Sequence, residues 1–108
     1  FFYCGSSAAV HKPAAAVVSA RRAGTTAALD QLNKYFMISQ MPVVSSQYWN
    51  MVHGQCPEDV EKDEEGMQIM RVLGRNMAWM LRCIEAGRAA GVNVPEPELE
   101  KKRTNFIR

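Results

Sequence analysis

Two arginines, a glycine and two threonines follow a short apolar run in Ser19–Ala20–Arg21–Arg22–Ala23–Gly24–Thr25–Thr26. These residue types suit an anion or a flat, electron-rich ring. An arginine fork bonds a phosphate bidentately or stacks on a ring face. The small residues Ser19, Ala20 and Ala23 let a ligand approach the backbone, and Gly24 permits a positive φ. A helix starting at Thr25 or Thr26 presents free N–H groups to an anionic partner. An ordinary strand-to-helix connection with two solvated arginines fits the same spacing, because neither a Walker sequence nor GxGxxG is present.

A second group of residues, Tyr48, Trp49, Asn50 and His53, lies in a segment without clear period. The aromatic rings can wall a flat cofactor or fill a subunit interface. Asn50 can hydrogen-bond, and His53 can move a proton near neutral pH. A packed aromatic loop with a surface histidine is the plainer reading. The acidic run Glu58 to Glu65 lacks the spacing and glycine of a calcium loop and reads as a solvated helix start. Cys4, Cys56 and Cys83 form no CxxC pair, and His11 and His53 sit at no ligand spacing, so no metal site is expected. The cysteines read as buried or partly buried thiols. No Ser/His/Asp arrangement is readable, and no catalytic acid or base is assigned.

The elements that must position these residues begin with a strand near 14–19, apolar from Ala14 to Val18, which suits a parallel sheet covered on both faces. Leu29, Leu32, Tyr35 and Phe36 then repeat at helical spacing and predict a helix near 26–38. Pro42 stops it. Val43 to Ser45 reads as a second strand, completing a βαβ unit whose strands are parallel neighbours. In open parallel sheets ligands bind beyond the carboxyl ends of the strands, which is where the arginine loop falls. The segment 47–54 follows the second strand and is expected at the same edge. A long helix near 57–90 opens at Pro57 with acids in its first turns. Gly66 reads as a break or loose turn within it, and Gly91 as a left-handed cap. Met70, Leu73, Met77, Met80, Leu81 and Ile84 form its apolar stripe, read as core or interface. Phe1 to Gly5 reads as the end of a preceding element, residues 6–12 as a small polar connection, and residues 95–108 as a charged, extended tail.

At 108 residues the chain is one domain at most. The two strands make a sheet too small to be independently stable. The opening at Phe1, inside an apolar pattern, adds to the expectation that this is the C-terminal portion of a larger α/β domain. The 13 basic and 11 acidic residues nearly balance, so nothing calls for nucleic acid or a membrane surface. No apolar run approaches the ~20 residues of a bilayer span, and no secretory signal is readable. Three widely spaced cysteines argue against a disulfide framework and for a reducing compartment, the cytoplasm by default.

KPAAAVVSARRAGTTAALDQLNKYF, followed by MPVVSSQYWNMVHG and a closing RTNFIR, resembles the C-terminal half of the NADPH-dependent FMN reductase-like flavoproteins, with the iron–sulfur flavoproteins as neighbours. The resemblance implies a flavodoxin-like doubly wound parallel sheet, of which this chain supplies the last two strands and helices. It also implies FMN as cofactor, NADPH or NADH as hydride donor, and an electron acceptor that the residues do not specify. Ser19, Ala20, Arg21, Arg22, Gly24 and Thr25 would edge the isoalloxazine ring. Trp49 and Asn50, with Tyr48, would face the flavin of a neighbouring subunit in a homodimer or homotetramer. The phosphate-binding loop, the opposite wall of the ring and any cluster-binding cysteines would lie on preceding strands, so this chain alone would hold FMN weakly or not at all. Cys56 stands where a threonine or serine cap is expected. The alternative is a non-enzymatic oligomerisation or interaction fragment without cofactor, built from the methionine-rich helix and the aromatic segment.

Overall fold

The apolar run after Pro13 forms one side of a parallel ladder. The structure, a computed structural model, describes residues 7–107; the readings on Phe1 to Gly5 and Cys4, and the end of the tail at Arg108, lie outside them. Ala14 makes a parallel bridge with Val43. The Ala14 N–H donates to the Pro42 carbonyl at 2.9 Å, and the Val44 N–H donates to the Ala14 carbonyl at 2.8 Å. Regular pairing follows only at β1, Val18–Ala20, against β2, Met51–His53, in the register Val18↔Met51, Ser19↔Val52 and Ala20↔His53. Among the described residues the sheet is therefore two-stranded and parallel, with a helix between its strands in sequence. The chain is a mixed α/β structure.

The position of β2 differs from the sequence reading. A strand was expected at 43–45, with 47–54 as a loop beyond it. Instead residues 45–50 leave the line of the strand and the chain rejoins it at Met51. Asn50 fills the gap: its side-chain Nδ2 donates to the Ala16 carbonyl at 3.1 Å, and its own carbonyl accepts from the Val18 N–H at 3.1 Å. A side chain thus satisfies a strand carbonyl that a neighbouring backbone N–H would otherwise meet.

Helix α1, Thr25–Ile38, starts behind Gly24, which sits in the left-handed region at φ 94° and carries no side-chain cap. Its apolar residues at helical spacing put Leu29 in the core. The helix ends in paired carbonyl caps: the Met41 N–H donates to the Phe36 carbonyl and the Gln40 N–H to the Met37 carbonyl. This closure needs a left-handed residue, and Gln40 takes it at φ 57°.

The helix expected near 57–90 is two helices. Helix α2 is Pro57–Lys62 and helix α3 is Glu64–Ala89, and they meet at Asp63, whose ψ of 78° breaks the helical path. Gly66 is not the break. It lies in the first turn of α3, where an added Cβ would come within 2.9 Å of the Val52 Cγ1 and 2.3 Å of the Asp63 Oδ2. The absence of a side chain lets α3 approach β2 closely. At the far end Gly91, at φ 84°, closes α3 with Val92 N–H to Gly87 carbonyl and Gly91 N–H to Arg88 carbonyl bonds. Residues 7–9 are helical rather than a plain connection, and residues 92–98 and 101–107 have no regular structure.

Consecutive strand residues face opposite ways, and β2 uses both directions. Met51 receives the Thr25 hydroxyl at the start of α1, while Val52 packs beside Gly66 at the start of α3. The buried apolar set is Ala14, Ala16, Leu29, Val44, Met51, Val52, Ile69 and Leu73. It takes only the first third of α3. Among the described residues no helix is long and apolar enough to cross a membrane.

Candidate functional site

The loop after β1 is fixed at both ends and open in the middle. At its start, the Gly54 N–H donates to the Ala20 carbonyl at 3.2 Å, extending the parallel ladder to the carboxyl edge of the sheet. At its far end Thr25 turns inward. It is buried, and its hydroxyl lies 3.3 Å from the Met51 sulfur. Thr25 is thereby an anchor for the loop, with its hydroxyl committed to the core. Between these points Arg21, Arg22 and Gly24 are exposed; Ser19 and Ala20, expected in the loop, are strand residues of β1, the first exposed and the second half-buried. Neither arginine makes an ion pair or a side-chain hydrogen bond among the described residues.

Gly24 is the cap residue of α1, not Thr25 or Thr26. The Gly24 carbonyl accepts the Ala28 N–H at 3.1 Å, but glycine has no side chain to accept from the N–H groups before it, which stay available at the positive end of the helix dipole. A Cβ built on Gly24 meets nothing within 4 Å, so the glycine answers to its positive φ and not to crowding. Helix α2 starts at the same edge, behind Cys56, again without a side-chain cap. Its first turn carries its own acids, Glu58 and Asp59, which offset that helix end.

The eight candidate residues fall into two groups. Ser19 through Thr25 surround the carboxyl edge. Trp49 and Asn50 lie back along the ladder beside Ala16 and Val18, not at that edge, because residues 45–50 interrupt the strand instead of following it. The segment is tightly tied. The Ser46 hydroxyl donates to the Ile69 carbonyl at 2.7 Å, Asn76 Nδ2 donates to the Ser45 carbonyl at 2.8 Å, and Gln47 bonds Gln68 at 2.9 Å. It holds Tyr48 and Trp49 edge to face, centroids 4.5 Å apart, with both rings about half exposed.

His53 is partly exposed, with Nδ1 3.9 Å from Asp63 Oδ2. Asp63 is the residue the sequence reading missed. Its Oδ1 accepts the Gly66 N–H at 2.9 Å, and its Oδ2 accepts the His53 backbone N–H at 2.7 Å. These two backbone donors, Gly66 first, hold its carboxyl below the ordinary aspartate value, and the His53 side chain adds to this. An aspartate directly before Glu64 and Glu65 was the available signal for a helix start.

The described cysteines are exposed, against the expectation of burial. The Cys56 thiol lies beside Glu58, whose carboxylate raises its pKa above the ordinary cysteine value. Among the described residues no cluster of His, Cys, Asp or Glu can hold a metal ion. Comparison with family models, with curated proteins and with solved structures found no match.

Proposed function

We propose that the chain forms the flavin-edge part of an NAD(P)H-dependent FMN reductase-type oxidoreductase with a flavodoxin-like sheet. The supporting observation is the loop from Ala20 to Gly24. It leaves the carboxyl end of a parallel strand and enters an uncapped helix through a left-handed glycine, with two arginines between that make no ion pair among the described residues. That arrangement suits a ring carrying carbonyl oxygens and negative charge on reduction. FMN, when bound, supplies the hydride and electron chemistry. In this reading Ser19, Ala20 and Gly24 give the ring edge access to backbone N–H groups. Arg21 or Arg22 offsets charge on the reduced flavin or meets the nicotinamide nucleotide. The residues present fit one edge of the ring only; the resemblance assigns the phosphate site and the opposite wall to preceding strands. The cytoplasm and a homodimer or homotetramer belong to the same reading.

The test is a flavin titration of the full-length protein and two variants. Gly24→Val forces a β-branched residue toward positive φ and removes the close approach; its FMN affinity falls by about tenfold or more, as expected for a loss above 1.4 kcal/mol. Arg75→Ala, on an exposed position of α3, leaves affinity unchanged. Equal affinity for Gly24→Val and the parent, with circular dichroism unchanged, removes this loop from the site.

A further inference from the structure

Helix α3 continues past the sheet it packs on, and beyond Leu73 its apolar residues border an open groove of about 420 Å³. Two rows of residues four apart, Trp79–Cys83–Gly87 and Met80–Ile84–Arg88, supply the helix side. Gly91 turns the chain at φ 84° and sets Val92 over Gly87, where a Cβ on the glycine would lie 3.8 Å from that of Val92. Val92 and Val94 then line the groove, and so do His11 and Pro42. His11 and Pro42 precede the Ala14–Val43 bridge, so the groove adjoins the amino end of the ladder, away from the arginine loop.

The lining is mainly apolar, and its charge has one sign. Arg88 is the only Lys, Arg, Asp or Glu in it. Its side chain is exposed and makes no ion pair among the described residues. Glu96, the first acid after Pro95, lines the adjoining hollow together with Lys101 and Lys102. At the other end of the groove Trp79 is 62% exposed, so its indole is open to an occupant. Trp79 and Arg88 stand nine residues apart in α3, roughly 13 Å at the helical rise. That is close to the span of roughly ten carbons bonded at about 1.5 Å.

We propose that this groove binds a medium-chain aliphatic carboxylate, its chain along the two rows of α3 and its head on Arg88. An apolar chain covers Trp79, Ile84 and Val92, which otherwise stay in contact with water. The guanidinium fork meets a carboxylate bidentately. With no acid in the lining, nothing there competes for the fork, and a cationic head would meet only repulsion. The groove is within the size range of small-molecule sites, and an apolar lining with one placed charge is their usual make-up. The site stands apart from the flavin proposal, since it draws on neither Arg21, Arg22 nor Gly24.

Decanoate, decanamide and decylammonium share one chain and differ in the charge of the head. Each is titrated into the whole chain, below the concentration at which it forms micelles, while the indole N–H signals of Trp49 and Trp79 are followed by NMR. Decanoate moves the Trp79 signal and leaves that of Trp49. It binds about two- to fivefold more tightly than decanamide, the range of an exposed ion pair, and decylammonium binds more weakly than either. Acetate, the head without the chain, moves neither signal. Arg88→Gln abolishes the preference for decanoate and Arg88→Lys keeps most of it. Arg75→Gln changes the net charge equally at a position outside the groove and leaves the preference intact. Equal binding of the three ligands by the parent, or equal loss of preference in Arg75→Gln, overturns the role of Arg88. Excess decanoate that leaves the Trp79 signal unmoved overturns the site. A Trp79 signal that shifts with protein concentration, and that decanoate does not restore, assigns the groove to a second copy and overturns the carboxylate.

Discussion

Asp63 shows how much one side chain decides here. Its two oxygens take backbone N–H groups from different elements, Gly66 of α3 and His53 of β2. It caps the long helix and ties that helix to the ladder. Replacing it with alanine removes a cap, at a cost of about 1–2 kcal/mol. The pH dependence has a definite sign. The folded pKa lies below the ordinary value of 3.8, so the charged form favours the fold. The contribution is complete above that ordinary value and is lost as pH falls through the lowered one. Thermal melts should therefore show Asp63→Ala well below the parent at about pH 6, with the gap narrowing below about pH 3.8. A gap that stays constant down to about pH 2 would mean the ionised carboxylate contributes nothing.

At the scale of elements, the helix ends carry the next prediction. Helices α1 and α3 close by the same bond pattern, but α3 uses Gly91 and α1 uses Gln40 at the left-handed position. A non-glycine residue there is strained by about 1 kcal/mol, partly offset by the extra unfolded-state freedom a glycine brings. Gln40→Gly should raise stability by about 0.5–1 kcal/mol, read as a higher denaturation midpoint with unchanged slope. An unchanged or lower midpoint would show that Gln40 is not strained. The elements also show what the sequence made legible. Helix α1 was readable near its observed bounds because four apolar residues keep a helical period between a glycine and a proline. The interrupted strand was not. Met51 to His53 is three residues long, too short for alternation to register, and the ladder beside Ala16 is completed by a side chain. That displacement moved Trp49 and Asn50 away from the carboxyl edge of β1, where residues 21–24 leave the strand. The junction at Asp63 was hidden among six acids that read equally well as one long helix start.

At the scale of the whole molecule, the chain leaves much of its surface uncovered. Its accessible surface is 8862 Å², where a compact monomer of its mass exposes about 6,000 Å². Its radius of gyration is 17.4 Å, against about 13 Å for a compact chain of this length. The extended tail accounts for part of the excess. The rest follows from the packing. Ala14, Ala16, Val18 and Ala20 direct backbone groups toward the β2 side, so alternation turns those of Ala15, Val17 and Ser19 to an edge that is unpaired among the described residues. Val17 on that edge is 49% exposed, and Trp79 on the free two-thirds of α3 is 62% exposed. An unpaired apolar edge is a template for another strand, and an uncovered apolar patch marks an interaction surface. These same features support the rival reading of an interaction fragment, so association alone does not choose between the two functions. Both require it, whether the added surface comes from further strands of one domain or from a second copy. Size-exclusion chromatography with light scattering should give a mass above the 12.1 kDa of one chain, rising with concentration. Val17→Lys places a charge on the open edge and should lower that mass, because lysine blunts strand pairing. A single species at the monomer mass at high concentration would count against the uncovered edge and helix as association surfaces. Association that Val17→Lys leaves untouched would transfer the role from the strand edge to the exposed face of α3.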